Sequence, residues 1–92
     1  MDLIWTDRAW GEYLTWYSKG ENKIVKRINK LIEDIKRHPY TGIGRPEGMQ
    51  KDSQHRWARR VTHSDRLVYR IEDHRLVIYS CMTHYEGFKN DK

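Results

Sequence analysis

At 92 residues, with 18 lysines and arginines against 13 aspartates and glutamates, the chain has room for one small core and carries a net charge of +5 with its histidines neutral. That balance favours phosphate backbones and acidic proteins as partners over neutral ones. The single cysteine, Cys81, excludes an internal disulfide and fits a reducing compartment, and no stretch resembles a signal peptide or a membrane span, so the expectation is a cytoplasmic protein that touches no membrane.

Asp2-Leu3-Ile4-Trp5 predicts a short strand, after which Thr6 or Asp7 offers a side-chain oxygen to cap a first helix. On that helix Ala9, Trp10, Tyr13, Leu14 and Tyr17 recur at helical spacing and predict one apolar face, which Gly20 terminates. A second helix is predicted from Asn22 to Arg37, with Ile24, Ile28, Leu31, Ile32 and Ile35 on one stripe and Lys23, Lys26, Arg27, Lys30 and Glu33 outside it. Pro39 stops it, because the residue before a proline is pushed out of helical geometry. From Thr41 to Gln54 the composition is that of a loop, and a long one for so small a domain, which marks it for function. Three strands follow on aromatic and β-branched content, Arg56 to Val61, Arg66 to Ile71 and Arg75 to Cys81, the last two joined by the hairpin-length Glu72-Asp73-His74. The order β-α-α-β-β-β predicts an α+β fold: an antiparallel sheet with two helices packed on one face, in a single domain over residues 1–85 with a polar tail at 86–92.

The chemistry concentrates after the second helix. Tyr40-Thr41-Gly42-Ile43-Gly44-Arg45-Pro46-Glu47 sets one carboxylate on a loop shaped by glycine and proline, Arg59, Arg60 and Arg66 follow on strands, and the last strand runs out to His84-Tyr85. A carboxylate can take a proton from a hydroxyl, guanidinium forks match phosphate oxygens, and histidine changes charge near neutral pH, so these are the parts of acid–base attack on a phosphodiester. Each also has a bland counterpart. Glu47 has the composition of an ordinary surface-loop carboxylate, His84 that of a half-exposed histidine, and the arginines have Asp65, Glu72 and Asp73 as ready partners. Strand alternation sends Arg59 and Arg60 to opposite faces and keeps Arg66, Val68 and Arg70 on one, so a sheet face without helices would carry a basic patch suited to RNA. Trp57, Tyr69 and Tyr85 are candidates for stacking on a base, the first two equally candidates for the core. Cys81 reads as a buried thiol, the five histidines lack paired ligand spacing, and Gly42 and Gly44 are not flanked by the strand and helix of a nucleotide-binding loop.

Taken together, Leu3-Ile4-Trp5, Ile24-Val25-Lys26-Arg27-Ile28-Asn29, Gly42-Ile43-Gly44-Arg45-Pro46-Glu47, Arg59-Arg60-Val61, Arg66-Leu67-Val68-Tyr69 and His84-Tyr85 resemble the YoeB (Txe) toxins of bacterial type II toxin–antitoxin systems, within the RelE superfamily. The resemblance implies a microbial RNase-like fold and a ribosome-dependent mRNA endonuclease that acts in the decoding site, uses neither metal nor cofactor, and is neutralised by an acidic YefM-type antitoxin. It implies operator DNA as a partner only for the toxin–antitoxin complex, and a homodimer. By the same resemblance Glu47 is the general base, His84 the general acid and Arg66 the residue that stabilises the charged phosphorane. Arg60 contacts the scissile phosphate, Tyr85 positions the substrate nucleotide, and Lys51 and Arg59 complete the substrate-binding set. Two positions depart from the family pattern. Gln50, followed by Lys51, stands where a lysine is usual, and Asp65 stands where a histidine commonly precedes Arg-Leu-Val-Tyr. The rival expectations are a basic RNA- or ribosome-binding module that blocks translation without cutting, and an antitoxin-bound co-repressor. Neither requires Glu47, Arg66 and His84 jointly.

Overall fold

Seven elements follow one another in the computed structural model, which describes residues 1–83: β1 (Asp2–Trp5), α1 (Asp7–Ser18), α2 (Asn22–Arg37), β2 (Glu47–Gly48), β3 (Trp57–Arg60), β4 (Arg66–Glu72) and β5 (Arg75–Thr83). His84, Tyr85 and the tail 86–92 lie outside the described residues.

Thr6 caps α1 through its side-chain oxygen, which accepts from the Ala9 N–H at 3.1 Å. The buried face of this helix is only partly the predicted one. Ala9, Tyr13 and Trp16 point inward, with the Trp16 indole donating to the Cys81 carbonyl at 3.0 Å, whereas Trp10, Leu14 and Tyr17 stay 45, 43 and 66% exposed. Both sets have the spacing i, i+4, i+7, one turned by about 100° from the other, so periodicity alone cannot choose between them. Helix α2 matches its prediction: Ile28, Leu31, Ile32 and Ile35 are buried, and Lys36 and Arg37 sit in the last turn, where positive charge complements the helix dipole.

The sheet order is β1-β5-β4-β3-β2. Strands β2 to β5 pair antiparallel with one another, but β1 runs parallel to β5, with Leu3 beside Leu76 and Trp5 beside Ile78, so the expected antiparallel sheet is a five-stranded mixed one. The helices carry the chain over one face to the far edge, and the β3-β4-β5 meander then returns to lie along β1 in the same direction. Asp73 and His74 make the β4–β5 turn with φ of 48° and 62°, the left-handed pair that a two-residue hairpin needs. Opposite Arg66, Val68 and Tyr69 the register slips, and Glu12 of α1 compensates: one carboxylate oxygen accepts from the Cys81 N–H at 2.7 Å and the Ser80 hydroxyl at 2.9 Å.

Leu67 and Tyr69 of β4 and Leu76, Ile78 and Cys81 of β5 meet the helices in the main core. The other face is not the open basic surface the alternation suggested. Residues after β2 fold back over it, burying Met49 against Ala58 and Val68 with Tyr79 alongside, and a fork from Arg56 to the buried Asp52 carboxylate (2.6 and 3.0 Å) locks that flap. The end of this face near Arg60 and Arg66 stays open. Among the described residues no helix is long and apolar enough to cross a membrane.

Candidate functional site

A cleft of about 270 Å³ opens at that end, lined by Arg45, Pro46, Glu47, Ala58, Arg60 and Arg66. Every lining residue comes from β2, the approach to β2, or the facing ends of β3 and β4. Glu47 opens β2 and pairs with Ala58, and Arg60 closes β3 directly across from Arg66, which opens β4. The long stretch expected to be loop thus contains a short edge strand that carries its carboxylate.

Arg66 is aimed by the turn before it. Its Nη1 donates to the carbonyls of Thr62, His63 and Asp65 at 3.2 to 3.3 Å, and that turn is closed by Thr62, whose hydroxyl donates to the Asp65 carboxylate at 2.8 Å and accepts from the Asp65 N–H at 2.9 Å. Asp65, one of the two departures named above, is here a turn former. Arg60 is exposed, its N–H donating to the Gly44 carbonyl at 2.7 Å. Arg45 was not singled out by the sequence argument, although it stands two residues before Glu47. It adopts φ +54° and adds a third guanidinium to the cleft. One carboxylate among three arginines leaves a local excess of positive charge, which suits an anionic group and sets a hydrogen-bond acceptor beside it.

Two expected substrate contacts are placed elsewhere. Lys51 is exposed in the turn after β2, with φ +58°, and does not line the cleft. Arg59 is a correction: it is fully buried on the helix side of the sheet, where its Nη1 donates to Asp34 at 2.6 Å and to the Ile43 carbonyl at 3.0 Å, so it cannot touch a bound substrate. Alternation separated it from Arg60 correctly, and the covered face is the one it took. That guanidinium holds the Asp34 carboxyl below the usual carboxylate range, helped by the Ile43 N–H. Tyr69, the second stacking candidate, is fully buried too, and burial raises its phenol pKa. Trp57 is half-buried with its ring 4.8 Å from that of Tyr40. Cys81 is buried as expected, its thiol pushed up to about 12 by desolvation and by the nearby Glu12. Strand β5 reaches the cleft end of the sheet, where Thr83 pairs with Arg66. His84 and Tyr85 follow it in sequence and fall outside the described residues.

Two helices on one face of a five-stranded mixed sheet, with a carboxylate and three arginines gathered at one end of the other face, make up the RelE-like microbial RNase fold with an anion-binding cleft. A family model described as the YoeB-like toxin of bacterial type II toxin–antitoxin systems matches residues 5–85, and the chain belongs to that family. It is 42% identical to Toxin YoeB of Escherichia coli K12 over 85 residues, covering 92% of this chain and all of that one. In structure it is similar to a YoeB/ParE toxin from Agrobacterium tumefaciens, with TM-score 0.86, 38% identity, and 92% of this chain and 100% of that chain covered. Two structures from Staphylococcus aureus, a YoeB dimer (TM-score 0.84) and a YoeB–YefM complex (TM-score 0.81), are each 32% identical, with 92% of this chain and 98% of theirs covered.

Proposed function

We propose that the chain is a ribosome-dependent mRNA endonuclease toxin that stops translation by cutting mRNA in the decoding site. The observation that carries this is the cleft in which Glu47 faces Arg60 and Arg66. In the reaction, Glu47 removes the proton of a ribose 2′-hydroxyl, O2′ attacks the adjacent phosphorus in line, and the P–O5′ bond breaks. His84, one residue beyond Thr83, gives its proton to the departing O5′, leaving a 2′,3′-cyclic phosphate and a 5′-hydroxyl. Arg66, with its Nη1 already held by three carbonyls, stabilises the charge of the phosphorane, and Arg60 and Arg45 hold the scissile phosphate. Tyr85 positions the nucleotide, and the exposed Lys51 contacts RNA outside the cleft. The acid and base are side chains, so the reaction calls for neither metal nor cofactor. Binding in the ribosome supplies the in-line geometry, an entropic part of the barrier that a shallow cleft cannot supply alone.

The complex named for the S. aureus relative supports a YefM-type antitoxin as the neutralising partner, whose acidic side chains suit the same basic cleft, with operator DNA bound only by the joint complex. The dimer named for another S. aureus structure supports a homodimer, and the exposed Trp10, Leu14 and Tyr17 offer apolar surface for it. The test is to map mRNA 5′ ends in cells after brief induction of the native chain, Glu47→Gln and His84→Gln. New ends within codons for the native chain alone are expected. Growth arrest without new ends would leave a basic module that binds and blocks without cutting.

A further inference from the structure

Arg59 spends every donor it has on the stretch that leads to Glu47 or on Asp34 and Tyr69, the two side chains that also hold that stretch, and we infer that it is the positioning residue for that carboxylate. This rests on the reading of Glu47 as the base. A guanidinium offers five N–H bonds. Here Nη1 donates to Asp34 Oδ2 and the Ile43 carbonyl, Nη2 to the His38 carbonyl and, at 2.7 Å, the Thr41 carbonyl, and Nε to the Tyr69 hydroxyl at 3.1 Å. Tyr69 passes its own proton to the Pro39 carbonyl at 2.6 Å, and Asp34 accepts the Ile43 N–H at 3.0 Å. The backbone from His38 to Ile43 is therefore wound around a side chain from β3. Two glycines fit the chain to it. A Cβ on Gly42 would fall 2.1 Å from Asp34 Oδ2, and one on Gly44 would fall 3.2 Å from Arg59 Cβ.

A fully buried guanidinium is poor value as a stabiliser alone, since apolar replacement of a buried ion pair is often neutral or better. Its position explains it. Ala58 and Arg60, the neighbours of Arg59 on β3, line the cleft, and the loop it grips reaches Glu47 four residues after Ile43. Strand β2 has two exposed residues at the sheet edge, too short to hold the carboxylate without an anchored approach. Fixing the loop and the cleft wall to one side chain sets where Glu47 stands relative to Arg60 and Arg66. Lysine keeps the charge but lacks the planar fork, so it does not replace Arg59.

The experiment is a double-mutant cycle on single-turnover mRNA cleavage by ribosome-bound protein, with ribosome affinity measured in parallel. Arg59→Lys and the milder Tyr69→Phe are each made in the native and the Glu47→Gln backgrounds, with Ile28→Val as a core control. In the native background Arg59→Lys lowers the rate by on the order of 10²-fold, the scale of a misplaced reacting group, and Tyr69→Phe by less, both with affinity nearly unchanged. In the Glu47→Gln background neither change lowers the rate further. Losses of equal factor in both backgrounds, or a loss no greater than that of Ile28→Val, would overturn the inference while leaving the reaction standing. Full activity of Glu47→Gln alone would overturn the reaction and this inference with it. If Arg59→Lys fails to fold, Tyr69→Phe decides the matter by the same comparison.

Discussion

Gly44→Ala is expected to destabilise the fold through a clash that a second substitution relieves. Gly44 has φ +81°, a left-handed conformation that costs a residue with a Cβ about 1–2 kcal/mol. The added Cβ would stand 2.7 Å from Cδ2 of the fully buried Leu31 and 3.4 Å from the Arg60 carbonyl oxygen. Overpacking of this kind costs about 1–3 kcal/mol, so the two effects sum to roughly 2–5 kcal/mol, a large share of the ~5–15 kcal/mol that holds a small domain together. Leu31→Ala on its own opens a cavity and costs about 2–5 kcal/mol. It also removes the atom that the new Cβ strikes, so the double variant is less destabilised than the sum of the two by about 1–3 kcal/mol, leaving the Leu31→Ala cost plus mainly the backbone strain of Gly44→Ala. Urea unfolding of the four proteins followed by tryptophan fluorescence measures all three quantities. A Gly44→Ala cost below about 1 kcal/mol, or strict additivity with Leu31→Ala, would show that Gly44 does not rest on Leu31.

Acid should weaken the fold partly through Asp52, whose carboxyl is held below its ordinary range chiefly by the Arg56 fork. A depressed folded pKa stabilises fully above the unfolded value of about 3.9 and loses that contribution as pH falls through the folded one. The stability gap between the native protein and Asp52→Asn, measured by urea titration, is therefore constant above about pH 5 and closes below it. A gap that widened on acidification would reverse the assignment. Cys81, raised to about 12 and fully buried, should resist iodoacetamide at pH 8 in the native protein and react at once in denaturant, as mass spectrometry would report. Rapid native labelling would mean that β5 opens readily. Arg66→Ala should cost roughly 10²–10³-fold in turnover with little change in ribosome affinity, the scale of losing one preorganised charge stabiliser. Arg45→Ala should instead weaken binding and reduce its salt dependence by about one counterion. The reverse pattern would exchange their roles.

The parts of this fold legible in the sequence are those set by local pattern. The Ile28, Leu31, Ile32 and Ile35 stripe, the Thr6 cap, the stop before Pro39 and the Asp73-His74 turn each follow from spacing or from one residue's chemistry. What escaped depends on partners far away in the chain. Nothing local to Asp2–Trp5 says that its neighbour is β5 or that the pair is parallel. Ala9 and Tyr13 face inward as their spacing allows, but Trp10, Leu14 and Tyr17 lie outward and Trp16, whose indole meets the Cys81 carbonyl, takes their place, a choice the equal spacing of the two sets leaves open. Arg59 illustrates the same limit at the site. An arginine on a strand reads as a surface charge, because the carbonyls of His38, Thr41 and Ile43 that pay for its burial come from another part of the chain. Glu47, Arg60 and Arg66 were recognisable as a set from residue type and family resemblance, while Arg45 joined them only once its backbone turned it toward the cleft.

The central claim is that the 2′-hydroxyl of the substrate is the nucleophile and Glu47 its base. The most direct measurement is single-turnover cleavage of a ribosome-bound mRNA in which the ribose at the cut site is replaced by 2′-deoxyribose, alongside the all-ribose message. With the all-ribose message the account predicts fragments ending in a 2′,3′-cyclic phosphate and beginning with a 5′-hydroxyl, and a rate lowered roughly 10²–10⁴-fold by Glu47→Gln. With the deoxy message it predicts binding without cleavage. Cleavage of the deoxy message at the normal rate, or a 5′-phosphate on the product, would contradict it.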